Sequence, residues 1–426
     1  MEGIRMDVNQ IYEAYLKDVV EKGAHSRSVR IAMDRAIHSY RTLSANALRR
    51  FPKTIEKAKK VREIKERSIA NWQKLVDQAR ESFERNHAKT YFATTGEEAN
   101  EIIAKIVGTG KTVVKGKSLT TEETHLRQYL QEKGNEVYET DLGEFIIQLL
   151  DSRPMHLLAP AVNIPREKVA ELLKQYIGEK VDPQNVSEEV AAVRRFLRDK
   201  FTTADVGISG ANVVAAETGT MVIIENEGNI RLATGLPNVH IALIGIEKVV
   251  ETLEEAMMVA EVTWRYADYE MPGYVNLISG PSLTGDIEKV LTYGAHGPKE
   301  LHVIFLDNGR SKMAADPDFR EAMYCLRCGA CLYECPVYAV TAGYYGHQYI
   351  GGIGTAWDAF TTVKSLAEIS PQAYTCVLCK RCKTRCPLDI DTADMMVALR
   401  QRLVDQNLIP PAVQQFFESM KEEESE

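Results

Sequence analysis

The chain has 426 residues, more than one compact domain usually holds, so we expect two or three domains. Hydrophobic residues make up 45% of the chain, which is enough for well-packed cores and excludes disorder of the whole chain. The net charge of −8 argues against nucleic acid as a partner.

The sequence also predicts the compartment. It contains no run of about 18 apolar residues, so we expect no transmembrane segment. The first ten residues, MEGIRMDVNQ, lack the apolar core of a signal peptide. All eight cysteines lie between residues 325 and 386, in close spacings that are typical of metal binding rather than of a secreted disulfide protein. We therefore expect a cytoplasmic protein.

Residues 1–92 are predicted to form a helical N-terminal arm. Residues 24–95 contain no glycine and one proline, Pro52, and their apolar residues recur every three or four positions. The basic first half of this stretch is compatible with a docking surface. An ordinary solvated helix face is the interpretation that we favour.

Residues 93–312 are predicted to form an α/β domain with a largely parallel sheet, because strand-like and helix-like segments alternate along them. KTVVKGKS is predicted to contain a strand, and HIALIGI and LHVIFLD are predicted to be buried strands. The segment GTMVIIENEGNIRLAT, at 219–234, is predicted to be a hairpin because two strand-like runs flank turn residues.

Two glycine-containing segments of this domain do not match nucleotide-binding motifs. VGTGKTVVKG has Lys105 where a phosphate-binding loop needs its first glycine, five positions before the Gly-Lys pair. GISGANVVAAETG lacks the G-x-G-x-x-G spacing of a dinucleotide fingerprint. We therefore expect no flavin or NAD fingerprint in this chain.

Several polar residues are predicted to lie at strand ends or turns of the α/β domain, where open sheets of this kind bind ligands. They are candidates for a pocket that holds a small acid or a cofactor. Alternatively they only shape turns and strand ends, which we favour slightly. The candidates are Glu217, Asn226, Glu227, Asn229, Asp307, Asn308 and Arg310. Arg310 has the geometry to fork onto a carboxylate. No nucleophile–base pair stands out, so the catalytic residues are unknown.

Residues 313–398 are predicted to form an α-helical ferredoxin-type domain, and residues 399–426 a helical and acidic tail. CLRCGACLYECP, from residue 325, and CVLCKRCKTRCP, from residue 376, both have the C-x2-C-x2-C-x3-C-P spacing of bacterial ferredoxins. Thiolates suit iron–sulfur clusters or zinc. Zinc pairs usually combine two CxxC units across a long gap, so we favour two [4Fe–4S] clusters.

The ligands of each cluster are assigned by analogy with two-cluster ferredoxins, in which the fourth cysteine of each run ligates the other cluster. The predicted ligands of cluster 1 are Cys325, Cys328, Cys331 and Cys386, and those of cluster 2 are Cys376, Cys379, Cys382 and Cys335. A cluster with four cysteine ligands has no open position for substrate. The pair is therefore expected to carry electrons, and the spacer residue His347 is expected to be a surface or packing residue rather than a ligand.

Several long segments resemble the lactate utilization protein B family. They include LRCGACLYECPVY directly after LHVIFLDNGR, together with ADVGISGANVVAAETGTMVIIENEGN and LPNVHIALIGIEKVV. The resemblance implies a lactate-utilization (LUD) domain, similar to the sugar-isomerase and CoA-transferase α/β fold, followed by a two-cluster ferredoxin-type domain. It also implies a role in oxidising L-lactate to pyruvate with two companions, a cysteine-rich heterodisulfide-reductase-like protein and a second LUD protein.

Three functions remain open at this point. The first, which we favour, is an electron-transfer subunit of an oxidoreductase complex, linked to lactate oxidation or to another flavin- or thiol-linked reaction with a flavoprotein as partner. The second is a dehydrogenase with its own substrate site in the LUD domain. The third is an assembly scaffold whose helical arm docks partners and whose clusters are mainly structural.

Overall fold

The computed structural model describes residues 7–362 and 364–423. The N-terminal part is helical, as predicted, and a π-helical segment, Asp18–Ala24, continues its first helix. Its α-helices are α1 Val8–Lys17, α2 Arg27–Arg50, α3 Lys53–Ala70 and α4 Trp72–Arg85. The Asp7 carboxylate caps α1 by accepting from the backbone N–H of Gln10 at 2.9 Å. Pro52 lies between α2 and α3.

The strands of the chain form two main sheets and a small hairpin. The strands are β1 Lys89–Ala93, β2 Thr112–Lys115, β3 Glu136–Glu139, β4 Val206–Ser209, β5 Val213–Ala215, β6 Thr220–Glu225, β7 Val239–Gly245, β8 Val249–Val250, β9 Tyr274–Ile278, β10 Leu283–Thr284, β11 Thr292–Tyr293 and β12 Glu300–Leu306. Strands β10 and β11 form the antiparallel hairpin.

The α/β part is built on a six-stranded sheet in the order β1-β12-β7-β4-β2-β3, in which every neighbouring pair is parallel. Strand β4 is buried throughout, and β7 and β12 are buried from their second residue on, as expected for a sheet covered on both faces. The predicted parallel α/β architecture is thus confirmed. Strand β1 begins four residues before the predicted domain boundary at residue 93, yet all of it pairs with β12.

Helices cover this sheet and lead away from it. They are α5 Gly96–Val107, α6 Leu119–Glu123, α7 Leu126–Glu132, α8 Leu142–Leu149, α9 Arg166–Tyr176, α10 Val186–Thr203, α11 Asn229–Gly235 and α12 Leu253–Tyr266. A 3-10 turn, Ile246–Lys248, joins β7 to β8.

The second main sheet has the order β8-β5-β6-β9, with β6 antiparallel to both of its neighbours. The hairpin predicted within residues 219–234 is wrong, because β6 pairs with β5 and β9 and the chain after the turn forms α11. The Glu225 carboxylate explains the helix, since it accepts from the backbone N–H groups of Ile230 at 2.8 Å and Arg231 at 3.2 Å. A carboxylate at this helix end satisfies N–H groups that have no partner within the helix.

The region with the cysteine runs is helical, as predicted. Its helices are α13 Arg310–Ala315, α14 Ala330–Glu334, α15 Pro336–Thr341, α16 Gly351–Thr361, α17 Leu366–Thr375, α18 Arg381–Arg385, α19 Thr392–Asp405 and α20 Pro411–Glu423. Helix α16 comes from the spacer between the two runs and is largely buried, with Trp357 and Asp358 almost completely enclosed. The spacer is therefore part of the core.

One continuous hydrophobic core joins the N-terminal helices, the second sheet and the cysteine region. Tyr40 of α2 illustrates this arrangement. Its hydroxyl donates to the backbone carbonyl of Tyr266 at 2.8 Å and accepts from Arg385 at 3.1 Å, while its ring stacks on Tyr333 with centroids 4.5 Å apart. The arm therefore connects the α/β part to the cysteine region.

Candidate functional site

The two cysteine runs adopt the same backbone course. The second and fourth residues after the first cysteine have positive φ angles, 60° at Arg327 and 76° at Gly329 in the first run, and 54° at Leu378 and 59° at Lys380 in the second. A short helix follows in each run, α14 or α18, and the fourth cysteine ends that helix. The two runs therefore share their loop geometry as well as their cysteine spacing.

The cysteines surround two adjoining cavities. The first is lined by Cys325, Cys328, Cys331, Cys382 and Cys386. The second is lined by Cys331, Cys335, Cys376, Cys379 and Cys382. Each cavity therefore has the three leading cysteines of one run and the fourth cysteine of the other, and Cys331 and Cys382 border both.

The donor set of these cavities fits iron–sulfur clusters. All eight cysteines are free thiols. Among residues 7–362 and 364–423, no group of three or more His, Cys, Asp or Glu side chains converges on a point where it could hold a single metal ion. Thiolates spread around a cavity suit a group with several iron atoms.

Burial differs between the two cavities. Cys328 of the first cavity is buried, and burial raises the pKa of the Cys328 and Cys386 thiols to about 12. Cys379 of the second cavity is exposed, and its neighbour Val377 is 60% exposed. The second cavity thus lies closer to the protein surface. Coordination to iron replaces the thiol proton, so the raised pKa values do not prevent ligation.

A group of buried charges lies beside the first cysteine loop. The Arg327 guanidinium donates to the Glu247 carboxylate at 3.4 Å and stacks over the rings of Tyr349 and Trp357, at 4.4 and 4.2 Å from their centroids. Lys65, on α3, donates to the backbone carbonyl of Glu247. A lysine and an arginine from two distant parts of the chain thus meet at Glu247, next to Cys325.

The pKa values of this group reflect burial and mutual attraction. Burial lowers the pKa of Lys65 to about 8 and that of Lys248 to about 7, although the nearby Glu247 carboxylate opposes both shifts. Burial works against ionisation of Glu247, but Arg310 and the other surrounding cations hold its pKa below the ordinary value. Glu247 is therefore the anion around which these cations are arranged.

A larger pocket of about 240 Å³ adjoins the cysteine region. Its lining includes Lys117, Asp141 and Asn212, which follow β2, β3 and the end of β4, and Lys248, which follows β7. The pocket therefore lies beyond the carboxyl ends of parallel strands, where open α/β sheets bind ligands. Arg327 closes it from the side of the first cysteine loop.

The structure brings three of the seven candidate polar residues into this pocket: Asn226, Glu227 and Asn229 line it. Glu217, Asp307, Asn308 and Arg310 do not line it. The Glu217 carboxylate accepts from the backbone N–H of Leu253 at 2.8 Å. The Asp307 carboxylate accepts from the N–H of Ser311 at 2.7 Å.

Arg310 and Asn308 both contact Glu123. Arg310 forks onto the Glu123 carboxylate with two N–O distances of 2.8 Å, and its Nε donates to Glu247 at 2.6 Å. Asn308 donates to Glu123 at 2.6 Å. The guanidinium of Arg310 is thus occupied by carboxylates of this chain. The spacer residue His347 is partly buried, and burial lowers its pKa to about 4.

The pocket residues that sequence reasoning did not find include Lys248, Trp264 and Arg327. Lys248 had a usable signal, because a lysine that closely follows the buried strand HIALIGI stands at a carboxyl strand end. Arg327 lies between two predicted cysteine ligands, which drew attention to the cysteines alone. Trp264 lies in a helix, and nothing in the sequence distinguishes it from a core residue.

Comparisons with known proteins agree with this architecture. The family model "LUD domain" matches residues 76–306, and the family model "4Fe-4S dicluster domain" matches residues 321–390. Lactate utilization protein B of Shouchella clausii is 34% identical over 402 residues, which cover 93% of this chain and 82% of that protein. The chain belongs to the lactate utilization protein B family. The match to the dicluster model supports iron–sulfur clusters as the group held by the cysteines.

Two further similarities were found. A protein of Escherichia coli named "Uncharacterized electron transport protein YkgF" is 32% identical over 356 residues, which cover 83% of this chain and 72% of that protein. A crystal structure of a DUF162 family protein from Deinococcus radiodurans aligns with 55% of this chain and 98% of its own, at 15% identity and a TM-score of 0.31. At that TM-score the second similarity supports no argument.

A helix that crosses a bilayer needs about 20 predominantly apolar residues. Within residues 7–362 and 364–423, none of them combines enough length with enough apolar character to cross a membrane.

Proposed function

We propose that this chain is the iron–sulfur electron-transfer subunit of an oxidoreductase complex that oxidises L-lactate to pyruvate. The observation that carries the proposal is the arrangement of eight free cysteines around two adjoining cavities. The relative from Shouchella clausii is named for lactate utilization, and the Escherichia coli relative is named for electron transport. Both names agree with a redox role.

We propose that each cavity holds one [4Fe–4S] cluster. Each cluster takes three ligands from one cysteine run and the fourth from the other. The lining supports Cys325, Cys328, Cys331 and Cys386 for cluster 1, and Cys376, Cys379, Cys382 and Cys335 for cluster 2. When bound, such clusters accept and release single electrons. Because Cys331 and Cys382 border both cavities, the two centres are adjacent, and an electron needs to cross only a short gap between them.

The side chains of the chain exclude water and balance charge around the first centre. Arg327, Lys65 and Lys248 are all at least nine-tenths buried and lie next to Cys325. Positive charge near thiolates favours the electron-rich state, so these cations are expected to raise the reduction potential of cluster 1 relative to cluster 2. The charge arrangement therefore helps to set the direction of electron flow.

The second centre is the side on which we expect a partner to dock. Cys379 is exposed, and Val377, in the same loop, is 60% exposed, so a redox partner can approach this cluster closely. The partner classes that fit are a cysteine-rich heterodisulfide-reductase-like protein, a second LUD protein or a flavoprotein. We place the complex in the cytoplasm, because thiolate ligands remain reduced there.

A LUD-domain dehydrogenase with its own substrate site is the second candidate function. The specific observation in its favour is the pocket of about 240 Å³ at the carboxyl strand ends, which Arg327 of the first cysteine loop helps to close. Such an enzyme would reduce its own clusters when given L-lactate. The electron-transfer subunit would be reduced only when its partner is added.

The cluster content is tested by anaerobic purification of the full chain followed by assays of iron, sulfide and zinc. Two [4Fe–4S] clusters correspond to about eight iron and eight sulfide per chain. Stoichiometric zinc without sulfide would contradict the proposal. The negative control is the double variant Cys331→Ser with Cys382→Ser. It alters the two cysteines that border both cavities and is expected to lose most of the iron.

The link to lactate is tested with the same preparation under anaerobic conditions. Visible absorption follows cluster reduction after addition of L-lactate, first to the chain alone and then with candidate partner subunits. We expect reduction only with the partner. Rapid reduction of the isolated chain would favour the dehydrogenase, and no reduction under either condition, with clusters that dithionite still reduces, would reject a role in lactate oxidation.

A further inference from the structure

The pocket beyond the carboxyl strand ends contains buried hydrogen-bond donors without acceptors. The Nε and Nη1 atoms of Arg327 and the indole Nε1 of Trp264 are buried and have no partner in the part of the chain that the structure describes. Lys248 also lines the pocket; it is 9% exposed and forms neither an ion pair nor a hydrogen bond among residues 7–362 and 364–423. Buried donors in native proteins almost always have an acceptor, so the Arg327 and Trp264 donors indicate a missing one, and the Lys248 ammonium stands beside them in the same pocket.

Stacking does not satisfy the Arg327 donors. Tyr349 and Trp357 lie against the guanidinium, with centroids 4.4 and 4.2 Å from Cζ. Such stacking uses the face of the group, whereas its N–H bonds lie in the plane and point outward. The Nη2 atom of Arg327 donates to the Glu247 carboxylate at 3.4 Å. The other nitrogens therefore remain available to a ligand.

The acidic side chains in the interior of the pocket are already engaged, whereas Glu227, which is exposed, accepts only from the N–H of Leu142 at 3.3 Å. Glu225 accepts from the N–H groups of Ile230 and Arg231, at 2.8 and 3.2 Å, and from Asn276 at 2.8 Å. Asp141 accepts from Lys117 at 3.1 Å and from the N–H of Glu144 at 3.1 Å. The unpaired groups in the interior of the pocket thus include two basic side chains, Lys248 and Arg327, and the indole N–H of Trp264. An anion with several acceptor atoms is the ligand class that fits.

We propose that this pocket binds a small organic carboxylate whose oxygens accept from Lys248, Arg327 and Trp264. The apolar side chains of Leu157, Ile223 and Ile230 also line the pocket and suit a short carbon skeleton. The proposal rests on the proposed function for the choice of carboxylate, since the relatives are named for lactate utilization. The choice of the three donor residues rests on the geometry of the pocket.

The pocket also adjoins the first cysteine cavity. Leu157 and Arg327 line both spaces, so one layer of side chains separates a bound carboxylate from the ligands of cluster 1. A carboxylate on Arg327 partly neutralises the positive charge beside this cluster. Negative charge nearby disfavours reduction. Occupation of the pocket is therefore expected to lower the reduction potential of cluster 1 and to leave cluster 2 less affected.

Isothermal titration calorimetry on the anaerobic, cluster-loaded full chain tests the proposal. The probes are L-lactate, pyruvate, inorganic phosphate and lactamide, a neutral analogue of lactate. We expect binding of lactate or pyruvate, with lactamide weaker by at least about tenfold because it lacks the charge. Equal affinity for lactamide, binding of phosphate alone, or no binding of either carboxylate would overturn the proposal.

Variants locate the site. Lys248→Met keeps the length of the side chain and is expected to weaken carboxylate binding by about 10- to 100-fold, since hydrogen bonds to charged groups are the strong ones. Lys248→Arg is expected to restore most of the affinity, and Trp264→Phe to lose several-fold. Lys174→Met, on the exposed side of α9, is the matched control and should bind like the original chain. Equal affinity of the Lys248→Met and Lys174→Met variants would overturn the assignment.

Potentiometric titration followed by electron paramagnetic resonance gives an independent measurement. Saturating carboxylate should shift the midpoint of cluster 1 to a more negative value in the original chain and not in Lys248→Met. An unchanged midpoint despite measured binding would place the ligand elsewhere and overturn the proposal. The iron and sulfide assays decide the proposed function separately, so a chain with full clusters that binds no carboxylate refutes the pocket alone.

Discussion

Arg310 and Glu123 form a completely buried, two-point ion pair across the junction between the parallel sheet and the cysteine region. Both N–O distances are 2.8 Å, and neither side chain is exposed to solvent. Tyr349, from the spacer between the cysteine runs, donates to the same carboxylate. Glu123 belongs to α6 and Tyr349 precedes α16, so this carboxylate joins segments that are far apart in the chain.

Replacement of Arg310 by methionine is expected to destabilise the protein by about 3–5 kcal/mol, because it leaves the carboxylates of Glu123 and Glu247 buried without their main cation. Thermal unfolding monitored by circular dichroism measures the change. The matched control is Arg195→Met, which removes an exposed pair with Glu179 and should have little effect. Equal losses of stability in the two variants would contradict the structural role of Arg310.

Replacement of the fourth cysteine of either run by serine is expected to damage the cluster held mainly by the other run. Cys335 lines the second cavity and Cys386 lines the first. Cys335→Ser should therefore alter the electron paramagnetic resonance signal of the exposed cluster 2, and Cys386→Ser that of the buried cluster 1. Access to an added oxidant distinguishes the two clusters, since Cys379 is exposed and Cys328 is buried. Loss of the opposite signals would mean that each run ligates its own cluster.

Tyr40→Phe is expected to loosen the contact of the helical arm with the cysteine region. The change keeps the ring that stacks on Tyr333 but removes the hydroxyl that bonds to the Tyr266 carbonyl and to Arg385. A buried carbonyl without a partner costs about 1–3 kcal/mol. Tyr176→Phe, at a position that is 53% exposed, is the control. Thermal unfolding and iron retention report the effect, and identical behaviour of the two variants would count against it.

Asp391 is expected to stabilise the second cysteine loop. Its carboxylate caps α19 by accepting from the N–H of Asp394 at 3.2 Å, and it pairs with Lys383 at 3.0 Å and Lys380 at 3.1 Å. Asp391→Ala should cost about 1 kcal/mol through the lost cap. It should also accelerate loss of iron from cluster 2 to a chelator. Asp391→Asn keeps the cap and should show the chelator effect with a smaller loss of stability.

The contribution of Asp391 also depends on pH. Partial burial works against ionisation, but hydrogen bonds from Lys383, the N–H of Asp394 and Lys380 lower its pKa to about 2. Because this pKa lies below the ordinary value of 3.8, the stabilisation is fully present above about pH 4 and is lost as the pH falls toward 2. Comparison of Asp391→Asn with the original chain across this range measures the contribution, and a constant difference would contradict it.

The sequence predicted what depends on local pattern. Alternating strands and helices indicated the parallel sheet, and the repeated cysteine spacing indicated the ferredoxin-type region, because both signals are short-range. The hairpin predicted at 219–234 is wrong because a side-chain contact that the strand-like pattern does not reveal favours a helix after the turn. The run NIRLAT is apolar enough for a strand, but the Glu225 side chain supplies acceptors for the first N–H groups of a helix.

The pocket at the carboxyl strand ends was only partly predictable. Asn226, Glu227 and Asn229 were recognisable because turn residues at strand ends often border sites. Arg310 had the right chemistry for an anion, but its partners Glu123 and Glu247 lie far away in the sequence and no periodicity announces them. Arg327 enters the pocket only because the cysteine region folds back onto the carboxyl ends of the sheet.

Each cysteine cavity draws residues from both runs, and this has a consequence for biosynthesis. The first cavity begins at Cys325 but includes Cys382 and Cys386, close to the C-terminal helices α19 and α20. A ribosome must therefore release the chain beyond Cys382 before either cavity can close. Premature termination or proteolysis between the runs would leave a fragment unable to complete either centre. Closure of either centre is thus expected to wait until both runs have been synthesised.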